Sequence, residues 1–195
     1  MSFDTTASNA GHRAGACVLL EKKLGKSLLH LACRHHILEV VLRSAFEAAF
    51  GKSSSPNVVL FKRFQQKWTF IDRPYYQPGP TDEHLKKHIL PVPADILSFA
   101  NAELCVKQPR DDYRELLELT IIFLGKVCQV ELCSSVYSIM LAGCQKCCTA
   151  SRFGFFVTNF NLTKEEEIGI RDICLFCSLL YVRSWMKCSL PTEAP

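Results

Sequence analysis

Three prolines, Pro91, Pro93 and Pro109, divide the middle of the chain into segments that have helical periodicity. Proline removes a backbone donor and disfavours a helical conformation in the residue before it, so each one marks a boundary between helices. Between the prolines, apolar residues recur at the spacing of one helix face. The sequence predicts helices at 57–68, 81–90, 94–106, 111–127 and 163–185. Residues 51–187 are therefore predicted to form an all-helical domain.

Two of these helices carry a further signal. In the first, Phe61, Phe64 and Trp68 form an apolar stripe at helical spacing. The last begins at Thr163 and has Glu166 three residues later, which is the spacing of a capping box. In such a box the two side chains satisfy backbone N–H groups that the helix start leaves without partners. The sequence thus predicts where this helix begins.

The N-terminal part alternates helix and strand signals. A helix is predicted over 14–24, ended by Gly25 in the C-cap position. The short apolar run over 27–33 is typical of a buried strand, and an amphipathic helix is predicted over 36–50. Residues 1–50 are therefore predicted to form a small α/β segment in a mostly α protein.

Three stretches lack a sustained pattern. Residues 72–80 carry three prolines and are predicted to be a loop. Residues 128–160 combine cysteines, serines and aromatic residues without the period of a strand or a helix, so we expect irregular structure there. Residues 188–195 are predicted to be a disordered tail.

The composition is that of a globular protein, with 48% hydrophobic and 22% charged residues. No stretch approaches the roughly 18–20 uncharged apolar residues that span a bilayer, so no membrane partner is predicted. The residues after Met1 have neither the basic start nor the apolar core of a secretory signal. We therefore expect an intracellular protein, nuclear or cytoplasmic and not secreted, whose eleven cysteines stay reduced.

Two pairs of cysteines are candidate metal ligands. Cys144 and Cys147, with Cys174 and Cys177, would supply the four thiolates of a tetrahedral zinc site. However, the separation between the pairs exceeds the usual spacing of a zinc ribbon, and cysteine at helical spacing is an ordinary small core residue. We favour core packing and predict no cofactor, with zinc as the alternative.

A second candidate set lies near the N-terminus. Metal binding by Cys33 and His36 would need further ligands, such as His12 or Asp4, and a structural role at the helix start is the favoured interpretation. A carboxylate such as Asp4 suits Mg²⁺, but two-metal phosphoryl transfer requires several converging carboxylates. The nearby glutamates lie on separate predicted helices. On its own, Asp4 is predicted to be a flexible terminal residue.

The segments Asp4-Thr-Thr-Ala-Ser-Asn and Cys33-Arg-His-His-Ile-Leu-Glu-Val-Val-Leu together resemble hAT-type transposases. In that family, a strand of an RNase H-like core carries the second catalytic carboxylate, and a Cys-x-x-His-x-Leu pattern follows the next strand. The matching positions are Asp4 for the carboxylate and Cys33, His36 and Leu38 for the pattern.

The same resemblance implies an all-helical insertion after the second strand, which corresponds to residues 51–187. The segments 111–124 and 161–174 are similar to a group of uncharacterised, transposon-derived animal proteins. The family's first carboxylate, its third carboxylate and the Arg-Trp signature expected within 128–155 have no counterpart here. We therefore expect a truncated protein, with an incomplete RNase H-like core followed by an insertion-type helical domain and without catalytic activity.

If the protein lacks catalytic activity, the remaining function is binding to nucleic acid or to a protein. A DNA interface would use basic side chains on two predicted helices, namely Lys22, Lys23, Lys26, Lys62, Arg63 and Lys67. Self-association through an exposed sheet edge is also expected, because strands are missing. The enzyme alternative is a metal-dependent nuclease or transposase, with Mg²⁺ as cofactor and the missing carboxylates supplied by another chain.

Overall fold

The computed structural model describes residues 2–51, 59–71, 76–90, 94–126 and 143–188, and in these the protein is mostly helical, as predicted. A π-helical turn at Cys177–Tyr181 joins the last two helices into one continuous rod. The helices are α1 (Ala7–Ala10), α2 (Ala16–Leu24), α3 (Arg34–Phe50), α4 (Val59–Trp68), α5 (Glu83–Ile89), α6 (Ala94–Leu104), α7 (Asp111–Phe123), α8 (Gly143–Phe155), α9 (Lys164–Phe176) and α10 (Val182–Lys187). Within the described ranges, each helix predicted from the sequence is present, with ends shifted by a few residues.

Two short strands, β1 (Ser2–Phe3) and β2 (Leu31–Ala32), form a parallel pair in which Ser2 lies opposite Leu31. Parallel strands need a crossover between them, and here α1 and α2 provide it. The prediction of a buried strand over 27–33 is wrong in two respects. Strand pairing is limited to two residues, and both residues of β2 are exposed because no further strand in the described ranges lies beside them.

Helix α3 connects the N-terminal segment to the rest of the protein. Its inner face carries the buried residues Leu42 and Phe46, and it packs mainly against α9. The contact is close at Gly169, where an added Cβ would lie 2.7 Å from Cε1 of Phe50 and 3.0 Å from the carbonyl oxygen of Ala49. A glycine at this position therefore lets the two helices approach each other.

The core of the helical body lies between α7 and α8. Helix α7 packs against both α6 and α8, and eight of its thirteen residues are buried. Helix α4 covers α8 through the predicted stripe of Phe61, Phe64 and Trp68, all of which are at most 1% exposed. The ring of Phe64 lies 5.2 Å from that of Phe153 in α8. The stripe predicted from the sequence is thus confirmed as a core face.

Residues 128–160 are predicted to be irregular, but the second half of this segment contains the regular helix α8. Cys, Thr, Ala, Ser and Phe side chains are buried on most of its surface. Seven of its thirteen residues are glycine, cysteine, threonine or serine, which have low intrinsic helix propensity, so the local sequence favours a helix only weakly and packing against the neighbouring helices stabilises it. Residues 128–142 of that prediction lie outside the described residues.

The C-terminal rod begins as the sequence predicts. The side chain of Thr163 accepts a hydrogen bond from the backbone N–H of Glu166, whose carboxylate accepts one from the N–H of Thr163, so the capping box is confirmed. The rod ends at Cys188, which is buried; 189–195, the rest of the predicted tail, lie outside the described residues, as do 72–75 of the predicted loop. None of the helices in the described ranges has the length and apolar character required to cross a bilayer.

Candidate functional site

Asp4 follows β1 and organises the turn into α1. Its Oδ1 accepts hydrogen bonds from the backbone N–H and hydroxyl of Thr6, and from the side-chain amide of Asn9 at 2.8 Å. These hydrogen bonds lower the pKa of Asp4 below its ordinary value, because they stabilise the charged form. The prediction of a flexible terminal residue is therefore wrong: Asp4 holds a local turn together.

The Cys33–His36 segment lies where α3 begins, against the end of the C-terminal rod. The ring of His35 contacts that of Trp185 edge-on at 4.6 Å, and the guanidinium of Arg34 donates to the carbonyl oxygen of Cys188 at 3.4 Å. His36 lies 3.9 Å from the carboxylate of Glu39, one turn along α3. Leu38 packs against the core from the same helix. The geometry of the segment is that of a docking contact between α3 and α10.

The four cysteines considered as zinc ligands do not converge on one point. The thiol of Cys177 lies 3.0 Å from the sulfur of Cys147, whereas Cys144 donates to the carbonyl oxygen of Asp112 and Cys174 donates to that of Ala150. Burial raises the pKa of Cys147 and Cys174 well above the ordinary range, so these thiols are neutral. Across the described ranges, no three His, Cys, Asp or Glu side chains have the arrangement of a metal site.

The basic residues considered for DNA binding lie on two different helices. Lys22, Lys23 and Lys26 are exposed at the end of α2. On α4, Lys62 is exposed, but the guanidinium of Arg63 forms two hydrogen bonds, of 3.2 and 3.1 Å, with the carboxylate of Glu166. The ammonium of Lys67, also on α4, lies 5.5 Å from the ring centroid of Phe160. Arg63 thus has a structural partner within the protein.

The most distinctive surface is a set of exposed large apolar residues in the N-terminal segment, which we call the N-terminal apolar surface. On α3, the exposed residues are one turn apart and lie on the side away from Leu42 and Phe46. The exposed large apolar residues of α2, of the segment after it and of β2 are all leucines. The members are Leu19, Leu20, Leu24, Leu29, Leu31, Ile37, Val40 and Val41, between 37% and 75% exposed.

The segment that carries the leucines of this surface is basic. Residues 11–36 contain five lysines and arginines but a single acidic residue, Glu21. The carboxylate of Glu21 accepts a hydrogen bond from the backbone N–H of Leu28 at 2.7 Å and lies 3.5 Å from His30. The side chains that remain exposed between the leucines, such as Lys22 and Lys23, are therefore cationic.

Two structural features were absent from the sequence reasoning. The first is the buried ion pair between Arg152 and Glu115, and the second is the contact of His35 with Trp185. Arg152 lies in the segment predicted to be irregular, where no helix face indicates a partner for it. The position of Arg152 next to Phe153 and among small buried residues is the signal that could have indicated a buried ion pair.

No protein-family description matches this chain, and no curated protein or solved structure matches it either. The functional interpretation therefore depends on the geometry of the chain itself. That geometry presents two features of chemical interest: the N-terminal apolar surface with its cationic surroundings, and the buried thiols of α8 and the C-terminal rod.

Proposed function

We propose that this chain is a non-catalytic binding protein, in which the N-terminal apolar surface binds a partner protein that presents apolar and acidic side chains. The observation that carries the proposal is the concentration of exposed leucine, isoleucine and valine between residues 19 and 41. Soluble proteins rarely leave contiguous apolar patches uncovered, and those that do commonly use them to bind other proteins.

The position of the surface supports binding over core packing. Helix α2 has a single buried residue, Cys17, although six of its nine residues are apolar. The outward face of α3 is likewise apolar at Ile37, Val40 and Val41. In an α/β protein, such faces are covered by a larger sheet, whereas here the described sheet has two strands of two residues. A partner protein would supply the missing cover.

The charge pattern supports an acidic partner. Lys22 and Lys23 lie on the same helix as the exposed Leu19, Leu20 and Leu24, and Lys26 follows shortly after its end. One partner segment would therefore contact both kinds of side chain. Charge complementarity accelerates association and excludes partners of the same sign. Duplex DNA satisfies the lysines but offers little apolar area to leucines, and the second predicted basic group is reduced by the pairing of Arg63 with Glu166. The proposal therefore favours protein over nucleic acid.

We further propose that the chain derives from a hAT-type transposase and retains part of its RNase H-like core. The support is the order of elements: Asp4 directly follows β1, Cys33 directly follows β2, and the two strands are parallel neighbours. Asp4 would then have kept its position but taken a structural role, because one of its oxygens is committed to Thr6 and Asn9.

The binding proposal is tested by peptide selection against the immobilised full chain, starting from a random display library. We expect enriched peptides to be rich in large apolar and acidic residues. Binding of a selected peptide, followed by fluorescence anisotropy, should weaken at least tenfold in the double variant Leu19→Ser/Leu24→Ser. The matched control is Leu180→Ser, which removes a leucine that is 62% exposed on the C-terminal rod and should leave the affinity unchanged.

The other outcomes identify the rival functions. Equal loss of affinity in the control and the double variant, or no enrichment, would refute the proposed surface. A concentration-dependent dimer by light scattering, lost in the double variant, would show that a second copy of the chain is the occupant. Salt-dependent binding to a duplex oligonucleotide would favour the DNA interface. Strand cleavage that requires Mg²⁺ or Mn²⁺ and is abolished by Asp4→Ala would establish the enzyme alternative.

A further inference from the structure

Cys147 and Cys177 bring two thiols into contact across two elements of the helical body. Cys147 lies in the middle of α8, Cys177 begins the π-helical turn of the C-terminal rod, and their sulfur atoms are 3.0 Å apart. We propose that this pair is a site of oxidative modification, at which a two-electron oxidant such as hydrogen peroxide produces an intramolecular disulfide. The proposal is independent of the proposed binding function.

The surroundings of the pair support a specialised role. π-helical turns are rare, and they frequently mark functional positions. In this turn, the hydroxyl groups of Ser178 and Tyr181 are buried and make no hydrogen bond within the described residues. Native cores satisfy the great majority of their buried polar groups, so a turn shaped only for stability would not be expected to leave two of them without a partner. The turn places Cys177 against Cys147 although it leaves the hydroxyl groups of Ser178 and Tyr181 buried without hydrogen bonds.

Disulfide formation releases two protons and two electrons, which the oxidant accepts. Each thiol loses its hydrogen, a bond forms between the two sulfurs, and the two protons and two electrons reduce hydrogen peroxide to two molecules of water. The sulfurs of Cys147 and Cys177 must approach by about 1 Å to reach the length of a disulfide. A displacement of this size is within the reach of side-chain rotation and a small shift of the two helices.

The neighbouring thiols each donate to a backbone carbonyl oxygen, and the contact between Cys144 and Cys148 lies within α8 and does not reach the C-terminal rod. Cys144 and Cys148 lie one turn apart on α8, and both direct their thiols to the carbonyl oxygen of Asp112, at 3.2 and 3.7 Å. Cys174 donates to the carbonyl oxygen of Ala150 at 3.3 Å. Cys174 thus contacts the backbone of α8 and not one of its thiols, whereas the thiol of Cys177 lies against that of Cys147.

Burial sets the rate of the reaction. The thiolate is the reactive form, and burial raises the pKa of Cys147 so that little thiolate exists in the closed core. Oxidation therefore requires a brief separation of α8 from the C-terminal rod. We expect the rate to rise with pH and in dilute urea, and the product to hold the two elements together.

The test treats the folded full chain with hydrogen peroxide, blocks the remaining thiols in denaturant, and maps linked peptides by mass spectrometry without reduction. We expect a linked pair of peptides containing Cys147 and Cys177, with a mass two hydrogens below the sum of the two reduced peptides, and a higher Tm for the oxidised chain than for the reduced chain. Cys147→Ala and Cys177→Ala should each abolish the linked pair. The control variant, Cys105→Ala, removes an exposed thiol and should still give the linked pair of peptides.

Three results would overturn the proposal. One is full alkylation of Cys147 and Cys177 after peroxide treatment of a protein that remains folded by circular dichroism. Another is a linkage from either residue to a different cysteine. The third is a linked pair that forms solely between chains, which a shift to dimer mass on a non-reducing gel would reveal. Because the peptides are mapped in the unsubstituted chain, the result does not depend on the folding of any variant.

Discussion

The guanidinium of Arg152 in α8 and the carboxylate of Glu115 in α7 form an ion pair inside the helical body, where their side chains are 2% and 13% exposed. The guanidinium also lies 5.5 Å from the ring centroid of Trp68, so α4, α7 and α8 meet at one cation. Burial raises the pKa of Glu115 even though Arg152 acts to lower it, which indicates that the desolvation of this carboxylate is substantial.

Arg152→Ala should destabilise the protein strongly. Removal of one partner leaves the other charge buried, and this typically costs about 3–5 kcal/mol. The measurement is urea unfolding at neutral pH, followed by circular dichroism. The double variant Arg152→Met/Glu115→Gln should recover part of the loss, since no uncompensated charge remains. Arg43→Ala, which breaks the exposed pair of Arg43 with Glu47, serves as the control and should change the stability by less than about 1 kcal/mol. An equal effect of the two single variants would contradict the buried-pair interpretation.

Gly169→Ala should destabilise the protein although alanine favours helices more than glycine does. The helix propensity gained is about 1 kcal/mol, but the new methyl group would overlap Phe50 and the backbone of Ala49. Overpacking of this kind costs about 1–3 kcal/mol when the neighbour cannot yield. Thermal unfolding should give a lower Tm. The control is Ser98→Ala, on the exposed face of α6. There the added helix propensity of alanine meets no steric conflict, so the Tm should not fall. An increase in Tm for Gly169→Ala would show that α3 and α9 are not in close contact.

The sequence predicts those parts of this fold that depend on interactions between residues close to each other in the chain. The capping box at Thr163 is such a case, because both partners lie within one helical turn. Gly25 is another: it ends α2 with a φ of 65°, a conformation that glycine adopts without strain. In both cases a short pattern is sufficient, and no long-range contact is needed to interpret it.

The remaining features depend on contacts that are distant in sequence. Helix α8 owes its burial to α4, α7 and α9, and the exposure of β2 depends on which strands lie beside it. The turn at Asp4 depends on a side-chain hydrogen bond from Asn9, five residues away, which the local sequence pattern does not specify. For the candidate sites, the sequence identified Cys147 and Cys177, but their pairing across two helices is visible only in three dimensions.

Asp4 should titrate below its ordinary pKa of 3.8, because Thr6 and Asn9 donate hydrogen bonds to the ionised form. A group whose pKa is lowered in the folded state stabilises the fold above its unfolded pKa, and the contribution is lost as the pH falls through the folded pKa. Carbon-detected NMR of the Asp4 carboxyl would measure the midpoint. Thr6→Val and Asn9→Ala should each move it towards 3.8, whereas Thr5→Val, which alters a neighbour that does not donate to Asp4, should not. An ordinary midpoint in the unsubstituted chain would show that the turn is not formed.

His35 should make the docking of α3 onto α10 sensitive to pH. Burial lowers the pKa of His35 below the ordinary value of 6.5, although Glu39 acts to raise it. The unfolded chain therefore binds more protons between the folded pKa of His35 and 6.5, and in this window stability falls as the pH decreases. Above about pH 6.5 the contact with Trp185 is fully retained.

The measurement compares urea unfolding of the unsubstituted chain and of His35→Gln over a series of pH values. The stability difference between them should be largest above about pH 6.5 and should shrink on acidification, because glutamine does not titrate. NMR titration of the imidazole gives an independent check: its midpoint should lie below 6.5 and should rise towards that value in Trp185→Leu, which opens the site to water. A stability difference that stays constant across the series would show that the protonation of His35 is not coupled to folding, and that the contact with Trp185 contributes through packing alone.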